Sequence, residues 1–134
     1  TIWSFQAYIK ASNTDASDYF GWSVALTADG NTMAVGARSE DSAAAGINGN
    51  QGSNDATSAG AVYLFSRSGA TWTQETYVKS SNTGVGDYLG YGLAISAYGN
   101  RLAASSGRED SSSTGVGGNQ GDDLASNSGA VYVY

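Results

Sequence analysis

The sequence predicts an all-β protein built from two copies of one antiparallel unit, and three observations lead to this fold class. Charged residues make up only 13% of the chain while glycine is abundant, with 19 residues, which favours short strands joined by many turns. Aromatic and β-branched residues alternate with small or polar ones, which is the period of a half-buried strand. The chain also repeats itself, because Trp3 aligns with Trp72 at an offset of 69 residues (72 − 3) that holds as far as GAVYLF at 60–65 and GAVYVY at 129–134.

The repeat sets the domain organisation. Residues 1–69 form repeat one and residues 70–134 form repeat two of a single two-blade unit that spans 1–134. A period longer than those of helical solenoids, in a sequence with strand-like alternation, is typical of one propeller blade per copy. We therefore predict two four-stranded antiparallel propeller blades.

The strands of the first unit follow one another along the chain. The segment WSFQAYIKA, within residues 1–12, predicts a strand with Trp3 and Phe5 on one face. FGWSVALTA, TMAVGA and GAVYLFSRS then supply three more strands. Turn residues at 29–31 and 68–70 predict two hairpins, so that the one long connection runs over residues 39–59.

The first strand of the chain is predicted to have no partner in its own chain. Because GAVYLFSRSGATWTQETYVK predicts one continuous hairpin, the first sheet should begin at Phe20 and end near Lys79. The last sheet begins at Leu89 and lacks its return strand. We expect the strand of residues 1–12 to complete the last blade of a neighbouring chain, because unpaired edges need partners, and we favour a ring of three such chains. Rings of two or four chains, an open filament, and a piece cut from a larger propeller are the alternatives.

Composition excludes several functional classes. The net charge of −6 leaves no basic stripe for nucleic acid, and no apolar run is long enough to insert into a membrane. Cysteine and histidine are both absent, which removes Ser-His-Asp and Cys-His catalysis and zinc sites that need those ligands. Adjacent carboxylates on an extended loop point to opposite sides and do not form a glycosidase pair. We therefore expect no enzyme.

The motifs DYFGWSVALTADGNTMAVGAR and SGAVYVY resemble the FG-GAP repeat, the blade unit of integrin alpha-subunit-like β-propellers that also occurs in bacterial surface and secreted proteins. Phe20 and Gly21 match the FG element, and Gly36 and Ala37 match most of the GAP element, with Arg38 in place of proline. The resemblance covers both units almost end to end, although the second has drifted. It implies an extracellular or cell-surface location and a role in adhesion or recognition.

The resemblance does not extend to the family's usual calcium loop. Of the form DxDxDGxxD, only Asp29 and Gly30 are present. A hard cation needs several carboxylate and carbonyl oxygens, so this loop is not predicted to bind calcium. Asp29 is instead predicted to be a turn residue.

A different calcium site is predicted at the start of the long loop of each unit. Adjacent carboxylates stand there, Glu40 and Asp41 in the first unit and Glu109 and Asp110 in the second, and asparagines and glycines follow them. Carboxylate, amide and backbone oxygens in such a loop are suited to calcium, which is the one cofactor the sequence suggests. The alternative is that the same side chains fasten the loop by hydrogen bonds to its backbone.

Aromatic residues at repeated positions suggest a ligand site. Trp22 and Tyr91 occupy equivalent positions in the two units and are our candidates for stacking on a sugar. Alternating aromatic residues also pack one blade on the next, so a core role is the competing interpretation.

Our main functional prediction is a non-catalytic β-propeller module for structural assembly or extracellular adhesion and recognition, which forms homo-oligomers head to tail by strand exchange. The first alternative is a carbohydrate-binding lectin with repeated blade pockets, whose partner would be a glycan. Another is a protein ligand in place of the glycan, and a last one is a fragment of a larger propeller protein with an enzymatic partner domain.

Overall fold

Two antiparallel sheets make up the fold in the computed structural model, which describes residues 2–134. The first sheet contains β1 (Phe20–Leu26), β2 (Thr32–Ala37), β3 (Ala61–Ser68) and β4 (Thr71–Val78), in that order. The second contains β5 (Leu89–Ile95), β6 (Leu102–Ser106) and β7 (Ala130–Val133). The strands are connected as consecutive neighbours, and the all-β prediction is confirmed.

The first sheet begins and ends where the sequence predicts, at Phe20 and at Val78 next to Lys79. Its one long connection lies between β2 and β3, also as predicted. The second sheet has three strands rather than four within the chain, because β7 has no following strand to pair with. This agrees with the prediction that the sheet beginning at Leu89 lacks its return strand within one chain.

The segment of residues 1–12, which is predicted to be a strand without a partner in its own chain, does not form a strand in the single chain. Residues 2–19 contain no strand. Trp3 and Phe5 are 91% and 84% exposed. A strand is held by hydrogen bonds to a neighbouring strand, and no backbone–backbone hydrogen bond joins residues 2–12 to the rest of the described chain. Residue 1 lies outside the described residues.

The hairpin between β1 and β2 shows how local sequence sets a turn. Asp29 accepts hydrogen bonds from the Thr27 hydroxyl at 2.7 Å and from the Asn31 N–H at 3.0 Å. These bonds, the Thr27 hydroxyl first, hold the pKa of Asp29 below its usual value. Gly30 has a φ of 68°, which a glycine adopts without strain. The prediction that Asp29 is a turn residue is therefore confirmed.

Two apolar clusters form the core, one on each face of the first sheet. On one face Val35, Tyr63 and Tyr77 are buried beneath the end of the N-terminal segment, where Ala11 packs. On the other face residues of β2 and β3 pack against the second sheet, in a cluster that contains Ala34, Val62, Val78, Leu89, Leu102 and Ala104. The first sheet therefore contributes β2 and β3 to its interface with the second sheet.

Two glycines allow the sheets to approach closely. A Cβ atom added to Gly36 would lie 2.3 Å from the carbonyl oxygen of Gly90, and one added to Gly60 would lie 2.3 Å from that of Leu89. Neither position has room for a side chain. The glycine of the GAP element, Gly36, is therefore explained by contact between blades.

Candidate functional site

A β-bulge opens the first strand of each sheet. Phe20 pairs with Ala37 and Ser23 with Gly36, so two residues of β1 have no partner in β2. The register of β5 shifts in the same way between Leu89 and Gly92. Bulges often lie beside binding sites, because they turn a side chain out of the regular alternation. Here the bulged residues that carry a side chain are Trp22 and Tyr91.

The tyrosines that precede the bulges have an uncommon backbone conformation. Tyr19 and Tyr88 have φ angles of 55° and 58°. An L-residue with a bulky side chain rarely adopts this left-handed conformation. Such strain is found where surrounding structure holds a functional site, so both bulges are of interest.

The structure brings the two predicted ligand residues together. The rings of Trp22 and Tyr91 lie with centroids 5.6 Å apart at an angle of 48°. They are 46% and 51% exposed, so they line a surface and do not fill a core. Tyr63 and Tyr77, by contrast, are completely buried. Tyr63 and Tyr77 therefore pack in the core. Trp22 and Tyr91 instead keep free ring surface, as a sugar-stacking site requires.

Arginine side chains complete this aromatic cluster. The guanidinium carbon of Arg38 lies 4.0 Å from the centroid of the Trp22 ring and 5.1 Å from that of Tyr88. Arg108 lies over the Tyr88 ring at 4.9 Å. Cation–π contacts of this length orient a guanidinium without neutralising it.

A pocket of about 430 Å³ opens between these residues and is called here the inter-blade pocket. Trp22 on β1 and Arg38, which directly follows β2, come from the first repeat. The second repeat contributes Tyr88, Tyr91, Gly107 and Arg108. No carboxylate lines it, although the chain carries twice as many acidic as basic residues. Its walls are therefore aromatic and cationic.

The predicted calcium ligand Glu40 is buried and fully partnered. One of its oxygens accepts hydrogen bonds from Tyr77 Oη at 2.8 Å and from Asn13 Nδ2 at 2.9 Å. The other accepts from Lys79 Nζ at 2.9 Å and from the Ser42 N–H at 3.1 Å. The carboxylate thus acts as the centre of a polar network that ties the long loop to β4.

Glu109 is the counterpart of Glu40, yet it has fewer partners. It is 4% exposed and accepts a hydrogen bond from Asn82 Nδ2 at 2.8 Å, which matches the bond from Asn13. Within residues 2–134 no cation forms an ion pair with it. The counterparts of Tyr77 and Lys79 are Tyr8 and Lys10, which are both exposed in the N-terminal segment.

The other two predicted ligands cap loop backbone. Asp41 accepts a hydrogen bond from the Ser58 N–H at 2.7 Å, and Asp110 accepts one from the Asn127 N–H. No group of three His, Cys, Asp or Glu side chains suited to a metal occurs among residues 2–134. Calcium binding at Glu40, Asp41, Glu109 and Asp110 stays a prediction, and the structure shows what these carboxylates contact without it.

A groove of about 450 Å³ runs along the free edge of β7 and is called here the edge groove. Glu109 and Tyr132 lie in its wall, together with the loop residues Gly115 and Gly117. In the first repeat the same place is filled by β4. There the Asn48 N–H donates to Tyr77 O, and the Lys79 N–H donates to Gly46 O, both at 2.8 Å. The edge groove thus lies where the second sheet would hold a strand equivalent to β4.

Sequence analysis missed the cationic half of the inter-blade pocket. Arg38 was noted only for standing in place of proline, and Arg108 was not considered. The sequence does contain a signal for this pocket, because the two repeats differ here. GARSED at 36–41 aligns with SSGRED at 105–110, so Gly107 stands at the position of Arg38. A Cβ added to Gly107 would lie 4.0 Å from Cγ of Tyr91, so the glycine leaves uncovered a part of that ring that a side chain here would contact.

The comparisons with known proteins give one family-model match, which covers part of the chain. The FG-GAP repeat model matches residues 3–65, which comprise nearly the whole first repeat. No curated protein and no solved structure matches the chain. No helix in residues 2–134 is long and apolar enough to cross a membrane.

Proposed function

Since residues 3–65 form an FG-GAP repeat, we propose that this β-propeller-like chain is a non-catalytic assembly module that associates head to tail, with the N-terminal segment of one copy adding a fourth strand to the second sheet of the next. The observation that carries the proposal is the buried carboxylate of Glu109, whose partners in the repeat pattern lie on that segment. Each further step rests on the comparison between the complete first sheet and the incomplete second one.

The first support is polar complementarity. Glu40 is neutralised by Lys79 and bonded by Tyr77, both from the fourth strand of its sheet. A buried carboxylate is costly without such partners, because desolvation is not repaid. Glu109 therefore requires a cation, and Lys10 and Tyr8 of a second copy stand at the equivalent positions of the equivalent strand.

The second support is the free backbone edge. Val62 pairs with Val78, and Tyr63 with Tyr77, across β3 and β4. The same register would place Ile9 of a second copy opposite Val131. An exposed edge whose N–H and C=O groups lack partners favours addition of a strand.

The third support is that equivalent apolar residues are buried in the first sheet and exposed in the second. Val62 is completely buried because it faces the second sheet, whereas its counterpart Val131 is 66% exposed. Val133 on the same face is 68% exposed. Head-to-tail association would cover this face with the opposite, partly exposed face of another first sheet, which carries Phe20, Met33 and Trp72.

A head-to-tail interface repeats until the ring closes. Propellers have about four to eight blades, so two, three or four of these two-blade chains would suffice, and we place three chains in the ring. FG-GAP repeats are typically extracellular, and this supports a location outside the cell or on its surface. We place the module in adhesion or recognition there.

The chain contains no cysteine, so disulfide crosslinking gives a direct test. A mixture of the single variants Ile9→Cys and Val131→Cys should form a disulfide-linked dimer on oxidation, because paired residues of adjacent strands have Cα atoms about 4.5–5.5 Å apart, within disulfide range. A mixture of Ile9→Cys with Tyr98→Cys is the control, since Tyr98 is 94% exposed and lies in the turn between β5 and β6. Equal crosslinking in both mixtures would contradict strand addition at β7.

A further inference from the structure

We propose that the inter-blade pocket binds the carboxylate of an acidic sugar, such as a uronic acid residue of a polysaccharide. All of its lining residues belong to one chain.

The charge of the pocket selects an anion. Arg38 and Arg108 both line it, and no salt bridge to either occurs in the part of the chain that the structure describes. The Nε atom of Arg38 is buried without a hydrogen-bond partner. A buried donor without a partner is unusual, and a ligand oxygen would satisfy it.

The nearby carboxylate Asp41 does not take this role. It lines a neighbouring cavity together with Arg38, but it is not within ion-pair distance of the guanidinium. Its own oxygen accepts the hydrogen bond of the Ser58 N–H. The donors of Arg38 therefore remain available to a ligand in the pocket.

The geometry of the cations favours a planar acid. Both guanidinium groups contact the ring of Tyr88, at 5.1 Å from its centroid for Arg38 and 4.9 Å for Arg108, so the tyrosine orients both of them at the pocket. Guanidinium groups donate paired hydrogen bonds to a carboxylate in a fork geometry that lysine cannot reproduce. The pocket therefore offers a carboxylate two oriented partners.

The aromatic half of the pocket favours a sugar as the carrier of that acid. Trp22 and Tyr91 are each about half exposed and form an open wall. Gly107 stands where the first repeat has Arg38, so the part of the Tyr91 ring beside it has no arginine stacked on it. An amphipathic ring can pack on such a wall, and the polar edge of the sugar stays in water.

The test uses tetragalacturonate as the acidic probe and galactotetraose as the neutral one, with binding measured by calorimetry on the whole chain. We expect the acidic probe to bind at least tenfold more tightly. The variants Arg108→Gln and Tyr91→Ala should each weaken it by at least tenfold while the melting temperature stays near that of the wild type, since both side chains are exposed.

Arg101→Gln is the matched control, because it removes the same charge from an exposed arginine outside the pocket. It should leave the affinity within about twofold. Equal losses for Arg101→Gln and Arg108→Gln would show a general charge effect and overturn the proposal. Equal binding of the two oligosaccharides, equal binding of polyglutamate, or no binding at millimolar probe would also overturn it.

Discussion

Lys79 Nζ lies 2.9 Å from Glu40 Oε2, and the two side chains are 0% and 1% exposed. In the repeat pattern the same pair becomes Lys10 and Glu109, and these two residues do not meet in one chain. In the proposed assembly, the exposed Lys10 and the buried Glu109 are therefore the two halves of one contact. This relationship is the reason to place the contact between two chains.

The first prediction concerns the ion pair of Lys79 and Glu40, which is complete within one chain. Lys79→Met should lower the free energy of unfolding by about 3–5 kcal/mol, because it leaves the Glu40 carboxylate buried without its cation. Urea denaturation measures the change. The double variant Lys79→Met, Glu40→Gln should recover much of the loss, and the exposed Arg101→Met should change stability by less than about 0.5 kcal/mol. Equal effects of Lys79→Met and Arg101→Met would contradict the assignment.

The second prediction concerns the contact between the sheets. Gly36→Ala should destabilise the chain by on the order of 2–3 kcal/mol, because the added Cβ would lie 2.3 Å from the carbonyl oxygen of Gly90. Gly52→Ala is the control, since the nearest atom there is 3.4 Å away and neither glycine has a positive φ. Thermal unfolding followed by circular dichroism would check the difference. A loss in Gly52→Ala as large as that in Gly36→Ala would rule out a steric cause.

Much of this fold can be predicted from the sequence because its signals are local. The turn chemistry of Asp29 and Gly30 and the alternation along each strand are read from adjacent residues, and both are found as predicted. The behaviour of residues 1–12 could not be predicted in the same way, because a strand needs a partner that lies far away in the sequence or in another chain.

The candidate site could likewise be predicted only in part from the sequence. Trp22 and Tyr91 could be proposed from their residue type and their equivalent positions in the repeat. Arg38 and Arg108 could not, because their role depends on packing over the ring of Tyr88. The replacement of Arg38 by Gly107 is visible in the sequence, but its effect on the ring of Tyr91 follows only from the packing of the two sheets.

The third prediction concerns alkaline pH. Burial raises the pKa of Tyr63, Tyr77 and Tyr132, and it raises the pKa of Tyr134 to about 12. A folded-state pKa above the unfolded value gives stability that is complete below about pH 10 and is lost as the pH rises. Burial lowers the pKa of Lys79, which has the opposite sign, but one ammonium opposes four phenols. We expect stability to fall above about pH 10.

Tyrosine absorbance during an alkaline titration measures this directly. Of the nine tyrosines, these four should ionise only together with unfolding. A single smooth titration of all the phenols near pH 10, with the fold intact by circular dichroism, would contradict the burial of the four.

The fourth prediction concerns calcium. A site at Glu109 and Asp110 requires that added calcium raise the melting temperature and that EDTA reverse the effect, because a ligand of the folded state stabilises it. In the proposed assembly Lys10 of a neighbouring chain neutralises Glu109 as Lys79 neutralises Glu40, so the two sites should respond alike. Asp110→Asn and Asp41→Asn should therefore each remove part of the shift. The absence of any shift in the unmodified chain would contradict both sites.

The mass of the chain in solution tests the central claim most directly. Light scattering at micromolar concentration should give a single species of three 13.6 kDa protomers, and Lys10→Met should shift it towards the monomer because Glu109 then lacks its cation. Lys10 is exposed in the single chain, so this variant leaves the protomer folded. A monodisperse monomer of 13.6 kDa for the unmodified chain would contradict assembly by strand addition.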